Sequence, residues 1–175
     1  MQRSILMLKL IIKGLNKEQV TSPYLKGNSV TFNHKTLATL QGNEEEIVFS
    51  IHPQLDMAEY EVLRDIILQI TSGHNVEIDE SECQLGYLEN GESAHLIHNW
   101  QAWKTFLMEA KLRTLEGQNV LIKNELGEEL GNGLLAEYKI ETEPFRITSC
   151  TLITIFGEQK FDSDSITIEP TNQFS

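Results

Sequence analysis

The side chains best suited to hold a metal ion are His95 and His98, preceded by Glu92 in the pattern E-x-x-H-x-x-H. Residues three apart on a helix lie near one another, and imidazole suits zinc and copper. The pattern departs from H-E-x-x-H, so a third strong ligand has to come from elsewhere, Cys83 or His74 being the candidates. On a helical wheel both imidazoles point away from the apolar stripe of Leu96, Trp100 and Trp103. That placement suits exposed side chains as well as it suits ligands.

Other chemistries have less to build on. Cys83 and Cys150 stand far apart with no C-x-x-C, too few thiols for a disulfide framework or a four-thiolate zinc site. A G-x-S-x-G elbow, a Walker loop and G-x-G-x-x-G are all absent, so neither a serine nucleophile nor a phosphate cradle is evident. The glycine-bearing stretch from Gly127 to Gly133 carries Glu128 and Glu129, which repel phosphate, and it reads as a hairpin turn. The run Glu77-Ile78-Asp79-Glu80-Ser81-Glu82 lacks the glycine and twelfth-position glutamate of an EF-hand. A solvated acidic loop is the expectation there. No cofactor is implied.

The charge balance narrows the partners. The 175 residues carry 14 Lys and Arg against 26 Asp and Glu, a formal net charge of −12. Residues 1–55 hold 6 basic and 4 acidic side chains, while 56–115 and 116–175 each hold 4 and 11. Such a surface repels nucleic-acid phosphates, and the N-terminal lysines are spread out rather than clustered. The apolar run Ile5–Leu15 is interrupted by Lys9 and Lys13, lacks a cleavage site, and is too short to span a bilayer. These features lead us to expect a soluble, cytoplasmic protein with no membrane partner.

Elements that would position these residues follow from patterning. Residues 5–13 read as a buried strand stopped by Gly14, and Ser29–Phe32 and Glu46–Ile51 as short strands. Asp56, with Glu59 three residues on, makes a capping box for a helix over 56–72 closed by Gly73. Its apolar face is expected to hold Leu55, Ala58, Val62, Ile66, Ile67 and Ile70. A short strand is expected at 83–88. A second helix over 92–115 carries the stripe Leu96, Trp100, Trp103, Leu107 and Ala110, with Gly117 as its stop. Packing of both indoles in the core is expected, rather than a groove for a partner. Residues 119–124, 130–141, 145–155 and 159–169 read as four strands, the second curled at Gly131 and Gly133.

The stretch NVLIKNELGEELGNGLLAEYKI, followed by ITSCTLITIFGEQKFDSDSITIEP, resembles an SH3-like or Sm-like small barrel. The likeness lies in strand and turn rhythm, and implies a small antiparallel β-barrel over 117–170. Sm-type RNA binding rests on an Asp…Asn loop and a basic-Gly loop. Here Ile140-Glu141-Thr142-Glu143 and Ile155-Phe156-Gly157 stand in those places, with acid for Asn and Phe156 for the base. The expected fold is α+β: N-terminal strands with two amphipathic helices over 1–116, the barrel over 117–170, and a tail over 171–175. The expected function is a non-enzymatic interaction module, an adaptor or regulator binding a protein partner, with surplus negative charge that suits a basic one. Its candidate contacts are Glu141, Glu143, Phe145, Phe156 and Phe161. A metal-dependent enzyme using His95 and His98, and nucleic-acid binding through the barrel, are the alternatives.

Overall fold

The computed structural model describes residues 6–171. The fold is mixed α+β, with antiparallel sheets and two α-helices among the described residues. The chain divides into two compact units, one ending at Lys104 and one beginning at Thr105.

In the first unit, β1 (Leu8–Lys13) is followed by a 3-10 turn at Lys17–Gln19, and then by β2 (Leu25–Lys26), β3 (Ser29–Phe32), β4 (Lys35–Gly42) and β5 (Glu46–Ile51). Helix α1 (Met57–Thr71) precedes β6 (Glu77–Glu82). The six strands form one sheet in the order β2-β3-β4-β5-β1-β6. The apolar N-terminal run is therefore an inner strand between β5 and β6. Leu10 and Ile12 are fully buried, and Lys9 and Lys13 alternate with them on the other face. Those lysines stand opposite Glu82 and Glu77 of β6, at 3.8 and 3.7 Å.

The segment expected as a solvated acidic loop is thus an edge strand, because cross-strand lysines neutralise its carboxylates. Strand β4 lies between the two short strands expected at Ser29–Phe32 and Glu46–Ile51, where no strand was expected. Between β3 and β4 the register slips, Val30 pairing with Ala38 but Thr31 with Thr36, so Leu37 is an extra residue. That bulge breaks the strict alternation by which a strand is recognised. The β3–β4 turn places Asn33 and His34 at φ 48° and 64°, the pair of positive values a two-residue hairpin needs.

Asp56 caps α1: its side chain accepts from the Glu59 N–H at 2.8 Å, and the Glu59 carboxylate accepts from the Asp56 N–H at 2.9 Å. The buried face holds Tyr60, Leu63, Ile66, Ile67 and Ile70, with Ala58 exposed and Val62 half-buried. It is turned from the expected face because Tyr60 meets two indoles. The rings of Trp100 and Trp103 lie 6.2 and 6.3 Å from that of Tyr60 and 5.6 Å from each other. Offset and edge-on pairs of this kind add about 0.5–1.5 kcal/mol each beyond area burial.

A two-residue ladder of β7 (Gly86–Tyr87) and β8 (Ser93–Ala94) leads into α2 (Trp100–Leu115). Helix α2 starts at Trp100 rather than near Glu92. Residues 93–98 have their polar groups committed elsewhere: Ser93 and Ala94 to the ladder, and the Ile97 and His98 N–H groups to the Glu80 carboxylate. Burial also differs from the expected stripe. Trp100 and Trp103 are buried at one end of the helix and Leu112 and Leu115 at the other, while Leu107 and Ala110 are only half-buried.

The second unit holds β9 (Asn119–Lys123), β10 (Glu129–Thr142), β11 (Phe145–Thr154) and β12 (Gly157–Pro170). All four begin and end within two residues of the expected bounds. Each strand pairs antiparallel with two others, so the ring β10-β11-β12-β9 closes on itself. Its core comprises Val120, Ile122, Leu135, Ile147, Cys150, Leu152, Ile166 and Ile168. Leu112 and Leu115 of α2 belong to that core, in a unit that begins at Thr105.

Candidate functional site

Two places hold the expected contact and metal-ligating residues to be weighed: the turns of the four-strand ring, and the loop before α2.

The β11–β12 turn holds Ile155 and Phe156, exposed for 93% and 84% of their surface. The turn is tied locally: the Phe156 N–H donates to the Thr154 hydroxyl at 3.1 Å, and that hydroxyl donates to the Gly157 carbonyl. Gly157, at φ 99°, supplies the left-handed residue that closes it. The groove beside the turn is lined by Asn119, Gly131, Asn132, Gly133, Leu134 and Gln159 together with Ile153–Phe156. Its wall is thin because β10 lacks side chains there. A Cβ on Gly131 would lie 2.8 Å from the Phe161 ring, and one on Gly133 2.8 Å from the Ile153 carbonyl oxygen.

The five candidate contact residues are not brought together. Glu141, Glu143 and Phe145 lie at the β10–β11 turn, while Phe156 follows the far end of β11, a strand of ten residues and roughly 30 Å. Glu141 is ion-paired with Arg146. Phe145 and Phe161 are half-buried against the core of the ring. Of the three phenylalanines, Phe156 alone stands clear of that packing. Ile155, exposed beside it, lies outside the expected contacts, since an isoleucine ending a Thr- and Ile-rich strand carries the same local signal as a buried one.

In the loop before α2, His95 and His98 precede the helix rather than riding on it. Their rings lie 6.3 Å apart at 77°. The His95 Nδ1 is 3.3 Å from the Cys83 carbonyl oxygen, and the His95 N–H donates to the Asn99 side chain at 2.6 Å. The His98 Nδ1 is hydrogen-bonded to Glu80. Glu80 also accepts the Ile97 and His98 N–H groups at 2.8 and 3.1 Å, and only 2% of its side chain is exposed.

A bulge aims that carboxylate inward. Asp79 pairs with Ile11 and Glu82 with Lys9, so Glu80 and Ser81 together face the single residue Leu10. Asp79, just before the bulge, is held below the usual carboxylate range by hydrogen bonds from the Ser81 hydroxyl and N–H. Cys83 is fully buried, and burial pushes its thiol up to about 12, with the Glu80 charge adding to the effect. A thiol so held is neither a nucleophile nor a ready metal ligand. His74 lies in the turn after α1, and no hydrogen bond joins its side chain to this cluster. Among the described residues, no three His, Cys, Asp or Glu side chains converge as a metal-binding set.

Cys150, in the second unit, is likewise buried and pushed up to about 11 by that burial. Among the described residues, no helix is long and apolar enough to cross a membrane. Comparison with protein-family models, with curated proteins and with solved structures finds no match to this chain.

Proposed function

We propose that the chain is a non-enzymatic interaction module that binds a basic protein partner through the β11–β12 turn of its second unit. The observation that carries this reading is the pair Ile155 and Phe156, two large apolar side chains held out on a hydrogen-bonded turn. Exposing them costs solubility, and a firm turn presents them with little entropy left to lose on binding. An aromatic side chain at the centre of a contact is the usual energetic anchor.

The formal charge of −12 favours a positively charged partner and speeds its encounter. Glu141 and Glu143, at the far end of β11, act in this reading through that field and not by touching the anchored surface. Phe145 and Phe161 support the ring from inside. We take the four-strand ring as a small barrel of the SH3-like kind, whose turns are a common place for recognition.

The test is affinity capture from source-cell lysate with nuclease present, followed by affinity measurement with the purified partner. Phe156→Ala should weaken binding by about thirtyfold, the loss of a ~2 kcal/mol anchor. Charge reversal at Glu141 and Glu143 should slow association and flatten its salt dependence. Unchanged affinity in Phe156→Ala and Ile155→Ala would remove the reading.

A further inference from the structure

Both imidazoles before α2 are oriented through Nδ1. A carbonyl oxygen only accepts, so the His95 Nδ1 facing the Cys83 carbonyl carries the ring proton. Glu80 already accepts two main-chain N–H groups, so the His98 Nδ1 bonded to it donates as well. In each neutral ring that leaves the lone pair on Nε2. One carbonyl and one carboxylate behind two imidazoles are the outer partners that metal-bound histidines use. His52 is arranged the opposite way. Its Nδ1 accepts the Gln54 N–H at 3.2 Å, which places the ring proton on Nε2.

We propose that His95 and His98 together bind one tetragonal divalent transition-metal ion, Cu²⁺ or Ni²⁺, through their Nε2 atoms. The spacing selects the geometry. A metal–nitrogen bond of about 2.0–2.1 Å puts each ring centre about 3.2 Å from the ion, so two rings on one ion are at most about 6.4 Å apart. The observed 6.3 Å sits near that limit, so an ion held by both rings would have the two nitrogens on opposite sides. Opposed nitrogens fit a square-planar or tetragonal ion, whereas tetrahedral Zn²⁺ requires the rings about an ångström closer. Copper also binds nitrogen ligands most tightly among the divalent first-row ions. With no third side chain converging among the described residues, water takes the remaining positions. The His98 side chain is 60% exposed, so the ion has a route in from solvent. The negative charge of the chain raises the local cation concentration. This binding goes beyond the proposed protein contact and lies in the other unit of the chain.

The test uses the full chain without a histidine tag, stripped by chelator and titrated separately with Cu²⁺, Ni²⁺ and Zn²⁺. One Cu²⁺ per chain is expected, bound more tightly than Zn²⁺, with electron paramagnetic resonance showing nitrogen ligation. His95→Ala and His98→Ala should each weaken Cu²⁺ at least tenfold, and His52→Ala should leave it unchanged. Glu80→Gln, shown folded by circular dichroism, should weaken it by about tenfold to a hundredfold, as loss of an outer partner does. Unchanged binding in the double variant His95→Ala/His98→Ala, or Zn²⁺ bound more tightly than Cu²⁺, overturns the proposal. Undiminished affinity in folded Glu80→Gln overturns the positioning role of that carboxylate.

Discussion

Truncating Glu80 to alanine should loosen the first unit by an amount the structure allows to be worked out. The carboxylate accepts the Ile97 N–H at 2.8 Å through one oxygen and the His98 N–H at 3.1 Å through the other, which also holds the His98 ring. Alanine leaves both main-chain donors without a partner. An unpaired buried donor costs about 1–3 kcal/mol, and these bonds are only part-buried, so about 1–1.5 kcal/mol each is the fitting share. The space vacated by the side chain adds about 1 kcal/mol, and relief of a buried charge offsets a similar amount. The net loss is about 2–3 kcal/mol, which in urea, at about 2 kcal/mol per molar, lowers the midpoint by roughly 1–1.5 M. Tryptophan emission is the assay, because both tryptophans, Trp100 and Trp103, lie in the first unit. Glu80→Gln, which keeps one accepting oxygen, should fall between wild type and alanine. A midpoint for Glu80→Ala within about 0.3 M of wild type would refute the claim that this carboxylate fastens the loop to the sheet.

Two further outcomes follow from the titrating groups. Cys83 and Cys150, buried with thiols near 12 and 11, should resist a thiol reagent at pH 8 in the folded chain and both react in denaturant, and rapid labelling of the native protein would contradict their burial. Glu59 is held below its ordinary value of 4.5 by the hydrogen bond from Lys35 at 2.8 Å and by the Asp56 N–H. Its contribution to stability is therefore complete above about pH 4.5 and is lost as pH falls through the lowered value. In Lys35→Met the drop in urea midpoint between pH 7 and pH 3 should be smaller than in wild type, and an equal or larger drop would reverse the assigned sign.

What could be seen in the sequence was what obeys a simple period. The capping box at Asp56 and Glu59, and the four strands after Gly117, have local signals that their tertiary surroundings leave alone. The hidden features share one cause, which is a partner distant in sequence. Strand β6 looks like a loop until Lys9 and Lys13 stand opposite its carboxylates. Strand β4 is masked by the single extra residue Leu37. The helical pattern of Leu96, Trp100 and Trp103 continues back through His95 and His98, yet Glu80, well upstream, takes the Ile97 and His98 N–H groups that an earlier helix start would have bonded to the carbonyls four residues back. Among the contact candidates from Glu141 to Phe161, nothing local distinguishes Phe156 on an open turn from Phe161 beneath Gly131. Distances along β11 separate them.

In the second unit, β10 pairs with β9 over Glu129–Leu134 and with β11 over Leu134–Thr142, while β12 pairs with β11 up to Ile166 and with β9 from Thr167. Two long strands thus each belong to both halves of the ring, and no hairpin can peel away without breaking the pairing of another. Amide protons in all four strands should accordingly exchange through one shared opening rather than in graded steps. The short stretch Thr167–Pro170 acts as the clasp: cutting before it leaves β9 with one neighbour, turns a seamless ring into a sheet with two raw edges, and gives a well-behaved chain a reason to stick to its own copies.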